Sequence, residues 1–129
     1  MKTIKSLSKN RPLVIFEMAN NHQGDLKHAI NTIRAFSKIS KKFGELFCFG
    51  FKFQYRNLKT FIHPAHKGSN LKYVKRFEET QLNDDDWKIL VKKVKENGML
   101  AICTPFDNDS VIKIVNHGFD ILKIASCSI

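Results

Sequence analysis

Short apolar runs alternate along the chain with longer stretches whose apolar residues recur every three or four positions. Residues 12–18 (PLVIFEM) form a strand-like run carrying one carboxylate, Glu17, and the loop chemistry of ANNHQGD follows. Asp25 can cap a helix, and Leu26, Ala29, Ile30, Ile33 and Phe36 then take the i, i+3, i+4, i+7 spacing of an amphipathic helix ending in lysines before Gly44. The next run, residues 49–56 (FGFKFQYR), follows the apolar Leu46-Phe47-Cys48. In a strand i and i+2 share a side, so Phe49, Phe51, Phe53 and Tyr55 form one face and Gly50, Lys52 and Gln54 the other. A longer connection, broken at His63-Pro64 and Gly68-Ser69, leads to a short helix predicted over residues 73–79. Asn83 caps a second amphipathic helix, with Asp84, Asp85 and Asp86 at the positive end of its dipole, a buried stripe of Trp87, Leu90, Val91 and Val94, and Gly98 as its stop. Residues 99–103 read as a third strand, Thr104-Pro105-Phe106-Asp107 as its exit loop, residues 109–116 as a third helix ended by Gly118, and residues 119–125 as a fourth strand.

Strands alternating with helices predict an α/β protein with a parallel sheet, because parallel neighbours need long crossover connections. Two architectures fit, a doubly wound open sheet and a (β/α)₈ TIM barrel. No glycine-rich phosphate fingerprint follows any strand, which removes the main support for the nucleotide-binding open sheet. Polar residues recur instead at the C-terminal ends of the strands: Glu17, then Lys52 and Gln54, then Thr104, then Lys123 and Ser126. Barrel enzymes gather their chemistry on that rim, so Lys52 and Gln54 are expected to point inward while the aromatic face turns toward the helices. A lysine held there needs an anion to compensate its charge. A complete barrel takes eight strands and about 250 residues, so this chain is expected to supply about the first four strands, one incomplete domain over residues 1–129.

Composition narrows the setting. The 129 residues are 43% hydrophobic with 11 Phe, enough for one domain with a core and too few for two. No apolar run is long enough for a membrane span, and MKTIKSLSKNRP lacks the apolar centre of a secretion signal, which points to a cytoplasmic protein without a membrane partner. Cys48, Cys103 and Cys127 lie in or beside apolar runs and read as reduced, buried thiols. The net charge of +10 raises the possibility of nucleic-acid binding. Many lysines, however, fall on polar helix faces (Lys38, Lys41, Lys42, Lys88, Lys92, Lys93, Lys95), and no nucleic-acid-binding motif surrounds them. A solvated surface, or a field that attracts a small anion, fits better than nucleic acid.

The segments IFEMANNHQGD, FKFQ, ICTPFD and LKIASCSI, in this order, resemble the N-terminal half of the N-acetylneuraminate (sialic acid) synthase family, whose motifs run E-x-x-x-N-H-x-G, V-K-F-Q, S-T-P-F-D and K-I-x-S. The resemblance runs from about Val14 to the end of the chain. It implies a phosphoenolpyruvate-condensing (β/α)₈ barrel that joins phosphoenolpyruvate to N-acetylmannosamine or a related aldehyde sugar, assisted by Mn²⁺ or Mg²⁺, and a homodimer when full length. On this likeness Lys52 and Lys123 hold the phosphate and carboxylate of the donor, and Thr104 and Ser126 add hydroxyl hydrogen bonds. Gln54 reaches the sugar or a metal-bound water, and Glu17 transfers a proton or orients the sugar. The family's metal-binding histidines lie downstream, so no metal ligand is expected in this chain; His22 is expected to fix its turn, and His63 and His66 to serve the long connection or face solvent. The chain departs from the pattern where Cys127-Ser128 stands in place of Gly-Glu, and Asn70 is a weak candidate for the sugar-contacting asparagine; both leave the acceptor sugar open. A 3-deoxy-sugar-acid phosphate synthase with the same donor, and a non-catalytic basic half-barrel that binds nucleic acid or a partner, are the alternatives.

Overall fold

The computed structural model describes residues 3–126. In chain order they form α1 (Ile4–Ser8), β1 (Leu13–Ala19), α2 (Leu26–Phe43), β2 (Cys48–Tyr55), α3 (Leu58–Phe61), a tight helical turn at Pro64–His66, α4 (Lys72–Glu79), α5 (Asp84–Glu96), β3 (Leu100–Pro105), α6 (Asn108–Asn116) and β4 (Ile121–Leu122). The strands make one sheet in the order β1-β2-β3-β4 with every neighbour parallel. A doubly wound sheet reverses its strand order partway. Here the order is sequential, and the fold is the opening part of a (β/α)₈ barrel. No helix among the described residues is long and apolar enough to cross a membrane.

The periodicities act as expected. Asp25, Asn83 and Asp107 each accept a hydrogen bond from the backbone N–H three residues on, which starts α2, α5 and α6. Phe49, Phe51, Phe53 and Tyr55 are all buried and join Ala29 and Ile33 of α2, Trp87, Leu90, Val91 and Val94 of α5 and Ile114 of α6 in one core. Trp87 is its hub, with ring centroids 5.7 Å from Phe53 and 5.1 Å from Tyr55. Each such aromatic contributes about 2–3 kcal/mol by leaving water, so the outward face of β2 anchors the helical layer and frees the inward face for chemistry.

Two glycines are needed where backbone or side chain approaches closely. A Cβ on Gly50 would lie 2.5 Å from Cδ1 of Ile102, which crosses the inner face of β2. Gly24 has φ +73°, and a Cβ there would meet the carbonyl oxygen of Glu79 at 2.8 Å, so the β1–α2 loop packs directly on the end of α4.

The structure differs from the sequence reading in its short elements. The fourth strand is Ile121–Leu122 rather than residues 119–125. Phe119 turns into the core against Phe53 and Trp87, and the Asp120 carboxylate accepts from the Ala101 N–H, so side chains occupy the positions that a longer strand would use. At the third strand, Thr104 and Pro105 lie inside β3, paired with Gln54 and Tyr55, instead of in its exit loop. The five-residue α1, capped by Thr3, is too short to show a period.

Candidate functional site

The site is built from the inner face of the sheet at its C-terminal end. Alternation puts Ile15 and Glu17 of β1, Gly50, Lys52 and Gln54 of β2, and Ile102 and Thr104 of β3 on that face. The parallel register makes Glu17 the direct partner of Lys52, and Gln54 that of Thr104. Just beyond Glu17 the register slips, and Ala19 takes φ +47°, a left-handed conformation uncommon for a residue with a Cβ. This bulge aims the Ala19 N–H at Oε1 of Glu17, 3.1 Å away. The other oxygen, Oε2, forms an ion pair with Lys52 Nζ. The carboxylate is thereby oriented at both oxygens, and Glu17 is the anion that compensates Lys52.

The pair is unevenly exposed: 17% of the Lys52 side chain remains accessible against 45% of Glu17. The lysine is held by the sheet and the glutamate faces the rim. Thr104 is 3% exposed, and its hydroxyl has no hydrogen-bond partner among the described residues. Burying a hydroxyl without a partner costs free energy, and such an atom calls for a partner such as a water, an ion or a ligand group. Lys123 continues the sheet one residue past β4, its N–H donating to the Cys103 carbonyl at 2.9 Å, and its Nζ donates to Ser126 Oγ at 3.2 Å. Among the described residues the ammonium thus meets a hydroxyl rather than a carboxylate. The expected residues fall into two groups, a continuous patch of Glu17, Lys52, Gln54 and Thr104, and the Lys123–Ser126 pair at the end of β4. With two ammonium groups, one compensated, and three hydroxyl or amide side chains, the rim is suited to an anion with polar substituents.

The histidines serve local structure. His22 Nδ1 accepts from the Gly24 N–H at 3.2 Å, and its ring meets Trp87 edge-on with centroids 5.8 Å apart. Burial, with the nearby His28 charge, lowers its pKa to about 4, so the ring is neutral at pH 7 and its proton sits on Nε2. His63 caps the turn at Pro64–His66 through the Ala65 N–H, and both His63 and His66 are exposed. No group of three or more His, Cys, Asp or Glu among the described residues could hold a metal ion. Cys48 and Cys103 are buried free thiols. Cys127 and Ser128 lie outside the described residues.

Arg56 is a rim residue to which the sequence assigned no role. It shares the parity of Lys52 and Gln54, and its guanidinium lies 4.0 Å from the ring centroid of Phe106, 4.5 Å from that of Phe77 and 5.7 Å from that of Phe61. It donates to Gln54 Oε1 at 2.8 Å and to Asn20 Oδ1 at 3.4 Å. Parity alone could have singled it out. The three phenylalanines could not have been found, since they are far apart in sequence and meet only in the fold.

The NeuB family model matches residues 48–129. Among solved structures, the chain is similar to spore coat polysaccharide biosynthesis protein E from Chromobacterium violaceum, with a TM-score of 0.85 and 55% identity over 92% of this chain and 35% of that one. It is also similar to an N-acetylneuraminic acid (sialic acid) synthetase from Leptospira borgpetersenii in complex with citrate, with a TM-score of 0.71 and 26% identity over 92% of this chain and 37% of that one. The chain therefore spans about a third of the length of these structures. No curated protein matches it.

Proposed function

The chain belongs to the NeuB family, and we propose that it supplies one arc of the active site of a synthase that condenses phosphoenolpyruvate with N-acetylmannosamine or a related aldehyde sugar. The observation that carries this reading is the patch on one sheet face: Lys52 against an oriented Glu17, with Gln54 and the unpartnered hydroxyl of Thr104 beside them. In the proposed reaction carbon 3 of phosphoenolpyruvate attacks the aldehyde carbon, water adds at carbon 2, and the C–O bond to phosphate breaks. The products are a nonulosonic acid and inorganic phosphate.

Each residue has a task suited to its chemistry. Lys52 and Lys123 bind the phosphate and carboxylate, and as fixed cations they stabilise charge as the bonds change. Thr104 and Ser126 donate hydroxyl hydrogen bonds to the same anion. Glu17, held by the Ala19 N–H and by Lys52, is placed for proton transfer to or from an oxygen at the reacting centre, or to orient the sugar. Gln54 contacts the acceptor. The divalent Mn²⁺ or Mg²⁺ implied by the resemblance would polarise the aldehyde oxygen. No group of three or more His, Cys, Asp or Glu among the described residues could hold it, and in this proposal its ligands are the downstream histidines that the resemblance implies. The full-length enzyme would act as a cytoplasmic homodimer.

The test is phosphate release by the full-length protein from phosphoenolpyruvate with Mn²⁺, using N-acetylmannosamine, other amino-sugar aldehydes and a phosphorylated aldehyde sugar as acceptors. Release that depends on an unphosphorylated aldehyde sugar supports the reading. Release only with the phosphorylated acceptor, or with none, overturns it.

A further inference from the structure

We propose that Arg56 is a positioning residue that fixes which end of the Gln54 side chain faces the acceptor sugar, so that Gln54 donates to a sugar oxygen and does not accept from a metal-bound water. The proposal rests on the function just described.

A guanidinium has only donors, so whichever amide atom faces Arg56 must be the oxygen. Arg56 Nη2 holds Gln54 Oε1 at 2.8 Å, which leaves Nε2, with its two donor hydrogens and no hydrogen-bond partner among the described residues, as the end available to a ligand. A metal-bound water offers hydrogens and needs an acceptor. A sugar hydroxyl or acyl carbonyl offers oxygen and matches the amide NH₂. Gln54 shares the inner face with Lys52 and Thr104, so the rim presents donors to an oxygen-rich ligand.

The geometry around Arg56 makes this orientation durable. Phe61 comes from α3, Phe77 from α4 and Phe106 from the turn after β3, and together they enclose the guanidinium. Its second acceptor, Asn20 Oδ1, lies in the β1–α2 loop. One cation therefore ties three separate connections to the end of β2, and its planar group uses ring faces and oxygen acceptors together, which a lysine cannot do. A shift of the long connection between β2 and α5 would move Arg56 and turn the Gln54 amide with it.

Two variants of the full-length enzyme test the idea. Gln54→Glu keeps an oxygen for Arg56 and removes the donor. It should raise the KM of the acceptor sugar about tenfold or more, leave the KM of phosphoenolpyruvate within about twofold, and hold or raise Tm. An unchanged acceptor KM, or a lower Tm, overturns the proposed orientation. Arg56→Lys keeps the charge and loses the fork and the stacking. It should raise the acceptor KM with the donor KM unchanged, whereas a purely structural role would raise both KM values together. A readout independent of turnover is limited chymotrypsin cleavage at Phe61 and Phe77, which Arg56→Leu should accelerate; unchanged cleavage overturns the clasp. If the wild-type protein shows no synthase activity with any aldehyde sugar, the functional reading fails, and the cleavage rates and Tm values still decide whether Arg56 holds Gln54 and the connection.

Discussion

Lys52→Met removes one charge while keeping an unbranched apolar stem of similar volume, so it separates what Lys52 does for the fold from what it does for the reaction. The stem is largely enclosed and Glu17 is nearly half exposed, with 17% and 45% of the two side chains accessible. The lost ion pair is thus partly solvated and costs about 0–1 kcal/mol. Glu17 keeps the Ala19 N–H and gains water, so no carboxylate is stranded. For a complete barrel of about 250 residues, about 1 kcal/mol lowers Tm by roughly 2–4 °C. The kinetic effect is larger, because removing one preorganised charge from a reacting anion typically costs about 10²–10³ in turnover, or ~3–4 kcal/mol. The assay is phosphate release by the full-length protein at saturating acceptor, paired with thermal unfolding at the same pH. A loss of kcat/KM smaller than about threefold, against the expected hundredfold, would refute the role. So would a fall in Tm large enough to account for inactivity, which would make the lysine structural. Glu17→Gln supplies the contrast: it keeps an oxygen for Ala19 and should depress kcat more than it weakens phosphoenolpyruvate binding. Equal loss of donor binding in both variants would mean that the two residues do not have separate roles.

Gly50→Ala places a Cβ 2.5 Å from Ile102 Cδ1 and should destabilise by about 1–3 kcal/mol. Ile102→Val removes that atom and should recover much of the loss in the double variant, whereas additive losses in denaturant unfolding would contradict the clash. His22 has a folded pKa of about 4 against an ordinary 6.5, so the unfolded chain takes up its proton first as pH falls. Its contribution is then complete above about pH 6.5, declines toward pH 4 and levels off below, by on the order of 3 kcal/mol in all. The stability difference between wild type and His22→Gln should follow that curve, and a flat difference would show that burial does not control the ring. The 129-residue chain by itself should associate, because β1 and β4 are sheet edges and Ile15, Ile112, Val115 and Ile124 are exposed; a monodisperse monomer in light scattering would argue otherwise.

The sequence alone determined the kind and order of the main elements and the character of each strand face. Period-2 and period-3.6 patterns are properties of one element, so Phe49, Phe51, Phe53 and Tyr55 marked the buried side of β2, and Lys52 and Gln54 the inner side, before any partner was known. Caps are equally local, and Asp25 and Asn83 start their helices as read. Tertiary structure decided what those faces meet. The bulge at Ala19 and the register of β1 on β2 place Glu17 against Lys52, and neither is encoded within a single strand. Thr104 and Pro105 belong to β3 because β2 continues beside them, and β4 is short because Phe119 and Asp120 are drawn to the core and to Ala101. The enclosure of Arg56 depends on Phe61 and Phe77 from the β2–α5 connection and Phe106 from the turn after β3. Local geometry repeats every few residues and can be read directly, whereas these contacts depend on strand register and on the packing of distant segments, which only the folded chain fixes.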